Sequence, residues 1–154
     1  MRIFSVISGM IQHIGITGGT MRSDVRLPRI ATKDIAAYTA RLLNGELLAG
    51  HSVHNLLGPR NYSQQEATAA IGQAIGRPDL PYVPFSYDDA QKGMMGAGLS
   101  ENMASLYIEM TRSLNEEKLM VHESRTDAST TPTTLEEFAQ QVFAPAFRGA
   151  AAGA

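Results

Sequence analysis

No cysteine occurs among the 154 residues, so chemistry in this chain must run through hydroxyls, carboxylates, imidazoles and cationic nitrogens. That absence removes disulfides, thiolate metal sites and a thiol nucleophile together, and it suits a reducing compartment, taken as the cytoplasm. A tyrosine and a lysine four residues apart on a helix would let an ammonium lower the phenol's pKa for proton transfer. Tyr87 and Lys92 miss that spacing and leave the shared face, while Tyr38, Tyr62, Tyr82 and Tyr107 have no lysine four residues on. No residue is therefore assigned as catalytic. His51 and His54 are three apart on a predicted strand and face opposite sides, and His13 and His122 stand alone, so no metal site is expected.

Three further groups carry weaker signals. Gly15-Ile16-Thr17-Gly18-Gly19-Thr20 has part of a phosphate-cradling pattern, but such a turn must follow a buried strand and open a helix. Here the preceding residues have helical period, a third glycine is missing and Pro28 interrupts the required helix, so the segment reads as a loop. Arg22, Arg26 and Arg29 surround that loop; they are solvated side chains or, on a sharper reading, a lid that meets a phosphate or carboxylate. Met94, Met95, Met103, Met110 and Met120 form a pliable apolar group suited to core packing or to a promiscuous pocket.

The elements that must position these residues follow from capping and period. Phe4, Ile7, Ile11 and Ile14 predict a helix stopped at Gly15, and Gly15 to Pro28 predicts a long irregular loop. Arg29 to Ala31 reads as extended, followed by a helix capped by Thr32 or Asp34, carrying Ile35, Tyr38, Leu42 and Leu43 and ended by Asn44-Gly45. His51 to Leu57 predicts a strand. Ser63 and Glu66 have capping-box spacing and open a helix that closes at Gly76. Tyr82 to Phe85, bracketed by Pro81 and Pro84, predicts a short edge strand.

Ser86 and Ser100 open two more helices, the second with Met103, Leu106, Tyr107, Met110 and Leu114 on one stripe. Met120 to Thr134 reads as an exposed polar loop. Thr133 and Glu136 predict a third capping box, before a helix that buries Leu135, Phe138, Val142 and Phe143. Residues 1–148 thus form one domain, and 149–154 a disordered tail. Hydrophobic residues make up 44% and charged residues 18% with a net charge of −2, the balance of a globular chain without a basic footprint for nucleic acid. No 18-residue apolar segment predicts a membrane span, and Gln12 and His13 break the N-terminal apolar run too early for a signal peptide.

The order Pro-x-Ile-Ala-Thr-Lys-Asp-Ile (from Pro28), Leu-Gly-Pro-Arg-Asn-Tyr-Ser-x-x-Glu (from Leu57), Gly-Arg-Pro (from Gly76) and Thr-x-x-Glu-Glu-Phe resembles the C-terminal half of NmrA-like proteins, atypical short-chain dehydrogenases. The resemblance implies an α/β fold: the helix-rich, substrate-side half of an NAD(P)-binding Rossmann-like protein, with two or three short strands and the N-terminal Rossmann part missing. It implies NAD(P) as cofactor, with Ile30, Ala31 and Thr32 toward the cofactor crevice and Met94, Met95 and Tyr107 lining the substrate side. The implied activity is hydride transfer to a small apolar acceptor such as a quinone, once a Rossmann half is supplied; the truncated chain alone would be inactive. The other reading is a redox-sensing or protein-interaction module of the same origin. Either way, a homodimer or protein partner is expected to complete a sheet too small to stand alone.

Overall fold

The computed structural model describes residues 2–45, 50–118 and 124–152; Met120 and His122 lie outside them. In chain order the elements are helix α1 (Arg2–His13), strands β1 (Thr17–Gly19) and β2 (Leu27–Pro28), helix α2 (Thr32–Leu43), strand β3 (Asn61–Tyr62), helix α3 (Gln64–Ala74) and strand β4 (Tyr82–Pro84). Helices α4 (Tyr87–Gly96), α5 (Glu101–Asn115) and α6 (Leu135–Phe138) follow, then a π-turn over Ala139–Phe143 and helix α7 (Ala144–Ala152). The fold is α/β and helix-rich. Its strands form two separate pairs: β1 with β4 in parallel and β2 with β3 antiparallel.

The stretch from Gly15 to Pro28 is not the irregular loop that its glycines predict. Gly15 takes φ 71° to end the first helical run, and the chain then enters β1, in register Thr17↔Tyr82 with β4. A Cβ on Gly18 would lie 2.5 Å from the Phe85 ring and 2.6 Å from the Val83 carbonyl oxygen. Gly18 therefore permits close strand packing, and the Thr17 hydroxyl fixes the pair to α3 by meeting the Thr68 hydroxyl at 2.7 Å. Further on, β2 covers Leu27–Pro28, two residues ahead of the extended piece expected at Arg29 to Ala31.

Conversely, the strand expected over His51 to Leu57 is absent. Only Leu57 pairs, through a parallel bridge to Thr130, with Leu57 N–H donating to the Ser129 carbonyl at 2.7 Å. Val53 is 90% exposed, so the β-branched residue that signals a strand has no sheet or helix to bury it. The same bridge corrects the expected exposed loop before Thr134: Thr131 and Thr133 are buried.

Helix α3 begins as its capping box dictates. Ser63 Oγ accepts from Glu66 N–H at 3.0 Å and the Glu66 carboxylate accepts from Ser63 N–H at 2.7 Å, so two orphan amides are satisfied reciprocally. Ala67, Thr68, Ala70 and Gly72 form its buried face, and Gly76 in the left-handed region ends it. The main core cluster joins Ile11 of α1, Leu80, Phe143 and Phe147, with Ile7, Ile71, Ile75 and Phe138 against it.

The last helical segment differs from expectation in register and face. Its capping box is Thr134 with Glu137, one residue later than the Thr133/Glu136 pair. The π-turn then inserts an extra residue per turn, so burial passes from Ala139 to Phe143, Ala144 and Phe147, while Val142 is 44% exposed. The helix continues through Ala152. Helix α5 is the other departure. Its buried residues are Ala104, Ile108, Thr111 and Asn115, the last bonded to Tyr87 of α4, whereas Met103, Leu106, Tyr107 and Met110, expected as one apolar stripe, are about half exposed.

Candidate functional site

A cavity of about 220 Å³ opens between Arg29–Thr32, which lead into α2, and the start of α6 at Thr133, Thr134, Leu135 and Phe138. Segments a hundred residues apart meet here because Asp34, in the first turn of α2, is buried and bound twice by Thr133. The Thr133 hydroxyl donates to Oδ1 at 2.7 Å and its N–H to Oδ2 at 3.0 Å. Thr32 or Asp34 was expected to cap α2, yet the N-cap is Ala31, which has no side-chain cap bond. The carboxylate reaches across the fold instead, and that explains the one-residue slip of the capping box: Thr133 is already engaged, so Thr134 takes the cap.

Close backbone approach forms the floor of this region. A Cβ on Gly58 would fall 1.7 Å from the Arg29 carbonyl oxygen, so only glycine lets the Leu57-Gly58-Pro59 segment pass under Arg29. Arg125 ties the same segment down, its Nε donating to the Gly58 carbonyl at 2.8 Å and its guanidinium also bonding the Asn61 side chain. Beside the cavity, the Tyr62 ring is fully buried; its hydroxyl accepts from Leu135 N–H at 3.1 Å and donates to Glu136 at 2.8 Å.

A surface ion network braces these elements. Arg60 stacks 3.8 Å above the Tyr62 ring and bonds Glu136 at 2.8 Å and Glu66 at 3.2 Å, while Arg26 reaches Glu66 at 2.9 Å. The Ser63 amide, followed by Arg26 and Arg60, holds the Glu66 carboxyl down at about 2. Burial pushes Glu136 upward, but its own backbone amide, the Tyr62 hydroxyl and Arg60 together bring it below the usual carboxylate range.

The three loop arginines thus have different fates. Arg22 pairs with Asp24 at 2.6 Å and donates to the Asn115 carbonyl, and Arg26 pairs with Glu66. Arg29 borders the cavity and bonds the neutral Gln64 side-chain oxygen at 2.7 Å, while its Nε is buried without a partner among the described residues. Burial pulls the Arg29 guanidinium below the usual arginine range, and the nearby Tyr82 phenol, itself raised by burial, partly offsets this.

Ile30, Ala31 and Thr32 lie together on one wall of the cavity, whereas Met94, Met95 and Tyr107 are absent from its lining. Those three belong to the α4–α5 pair, with Met95 43% and Tyr107 48% exposed. A second, more polar depression of about 450 Å³ borders Tyr38, Arg41, His54 and Asp127. There the His54 ring meets the Tyr38 hydroxyl through Nδ1 and the Ser52 hydroxyl through Nε2, both at 2.7 Å. Sequence reading separated these groups, since it put His54 on a strand and Tyr38 on a helix sixteen residues earlier. Among the described residues no group of three or more His, Asp or Glu is placed to hold a metal, and no helix is long and apolar enough to cross a membrane.

No family model, curated protein or solved structure matches the chain.

Proposed function

We propose that this chain is the substrate-side half of an NmrA-like, NAD(P)-dependent reductase. Hydride passes from the nicotinamide to a small apolar acceptor, such as a quinone, when a Rossmann half is supplied. The observation that carries this reading is the convergence of Ile30, Ala31 and Thr32 with Thr133, Thr134, Leu135 and Phe138 around one cavity at the N-terminus of α2. Ligands of open α/β sheets collect where strands run out into helix N-termini, and residues 29–31 link β2 to the N-terminus of α2. Met94 and Met95 on α4 and Tyr107 on α5 lie outside this cavity's lining, so the apolar side for an acceptor here is Ile30, Leu135 and Phe138.

The chain's own part is to bind and orient, and to exclude water from the acceptor; the dinucleotide, when bound, supplies the hydride. Among the described residues the Gly18-Gly19 bend is occupied by strand pairing, so no phosphate cradle is assigned to it. The test is calorimetric titration of NADPH into the chain, alongside quinone-dependent NADPH oxidation. The chain alone is expected to give neither tight binding nor turnover. Tight binding by the chain alone would refute the division of labour, and a stable complex with another protein without any NADPH oxidation would favour the interaction module.

A further inference from the structure

We propose that the exposed face of α5 is a self-association surface, on which α5 of a second copy of this chain lies antiparallel about a two-fold axis between Leu106 and Tyr107. Met103, Leu106, Tyr107 and Met110 are each 45–50% exposed, and among the described residues no other element carries more than two exposed large apolar side chains. Their spacing of three, one and three sets all four on one side of the helix over two turns. The other sides of α5 are already in use. Ala104, Ile108, Thr111 and Asn115 are buried, Gln91 of α4 donates to the Ser105 hydroxyl at 3.0 Å, and the Arg112 guanidinium lies 5.0 Å from the centre of the Tyr87 ring. At about 100° per residue, the stripe points away from Ser105 and Arg112 and so away from α4.

Symmetry, charge and area select a second copy as the occupant. A two-fold contact requires a patch that fits itself after a half-turn, and Met103-x-x-Leu106-Tyr107-x-x-Met110 has the same spacing from either end. Antiparallel pairing then sets Met103 against Met110 of the second copy and Leu106 against its Tyr107, each contact made twice. Asn102, Ser113 and Leu114 border the stripe without charge, while Glu101, Glu109 and Arg112 fall on the far half of the helix. No like charges meet and no charge is desolvated, whereas an anionic lipid surface would call for basic residues along the rim. Four such side chains, half exposed, present roughly 400 Å² per copy, so a pair buries about 800 Å² from the stripes alone. With the rims the total passes about 1,000 Å², the lower end of specific interfaces and the size of a reversible dimer. The pairing needs no dinucleotide, so its failure and that of the reductase reading are separable.

The experiment is sedimentation velocity of the full chain, without NADPH, from about 10 μM to about 1 mM, where a dimer should appear. Leu106→Glu places two carboxylates beside the axis and should weaken association about tenfold or more, with an unchanged far-UV spectrum because Leu106 is half exposed in the single chain. The chain has no cysteine, so single introduced thiols report the pairing. A mixture of Met103→Cys and Met110→Cys chains should give mainly the mixed disulfide dimer. A monomer at every concentration, or undiminished association of a folded Leu106→Glu, would overturn the surface. So would a monomer that instead binds phosphatidylserine vesicles or a separately supplied dinucleotide-binding half through this stripe. Self-linking by each cysteine variant, equal to or above the mixed product, would overturn the antiparallel arrangement. Should Leu106→Glu fail to fold, the cross-linking decides by itself.

Discussion

Gly58 and Glu66 show how single residues set this molecule's geometry. Gly58 has no room for a Cβ against the Arg29 carbonyl, so Gly58→Ala must push the Arg29–Ala31 backbone toward the cavity. The expected loss is about 1–3 kcal/mol, read from denaturant unfolding, with changed NMR shifts at Thr32 and Thr133. Glu66 carries a pH signature. Its folded pKa, about 2, lies below the ordinary glutamate value of 4.5, so its contribution is fully present above pH 4.5 and is lost as pH falls through 2. Thermal midpoints should therefore decline between those limits, and Glu66→Gln should flatten that decline; an unchanged slope would contradict the capping and ion-pair geometry. The Ser63/Glu66 cap was legible because the pattern is local. The Asp34–Thr133 bond was not, since nothing nearby in sequence announces a partner ninety-nine residues away.

Among elements, the C-terminal helix and α5 separate what a local pattern can and cannot tell. Thr133-Thr134-Leu135-Glu136-Glu137 satisfies the capping-box pattern twice, and only the tertiary bond to Asp34 breaks the tie. Asp34→Ala should accordingly cost about 1.5–3 kcal/mol, the value of hydrogen bonds to a charged group, and loosen the start of α6 in hydrogen exchange. On α5 two stripes compete: Met103, Leu106, Tyr107 and Met110 are the more apolar, yet Ala104, Ile108 and Thr111 are the buried ones. Small side chains let the helix pack closely, which hydrophobicity alone does not reveal. Ile108→Ala should destabilise by about 2–5 kcal/mol and Leu106→Ala by no more than about 0.5 kcal/mol. The reverse order would place the methionine stripe in the core.

For the whole molecule, the helix-rich α/β character was readable from caps and period, because α3, α4, α5 and α6 each start on a Ser or Thr cap. The pairing of strands was not, since β1 and β4 are three residues each, sixty-five apart, and one of them is mostly glycine. Two separate two-stranded pairs are marginal on their own, and the proposed reading supplies a further sheet-bearing half. The most direct measurement is NADPH oxidation by a fusion placing the dinucleotide-binding half of an NmrA-like reductase ahead of this chain, with a quinone as acceptor and calorimetry to establish that the fusion binds NADPH. The account predicts quinone-dependent oxidation by the fusion and none by either half alone. A fusion that binds NADPH but transfers no hydride to the quinone would contradict it.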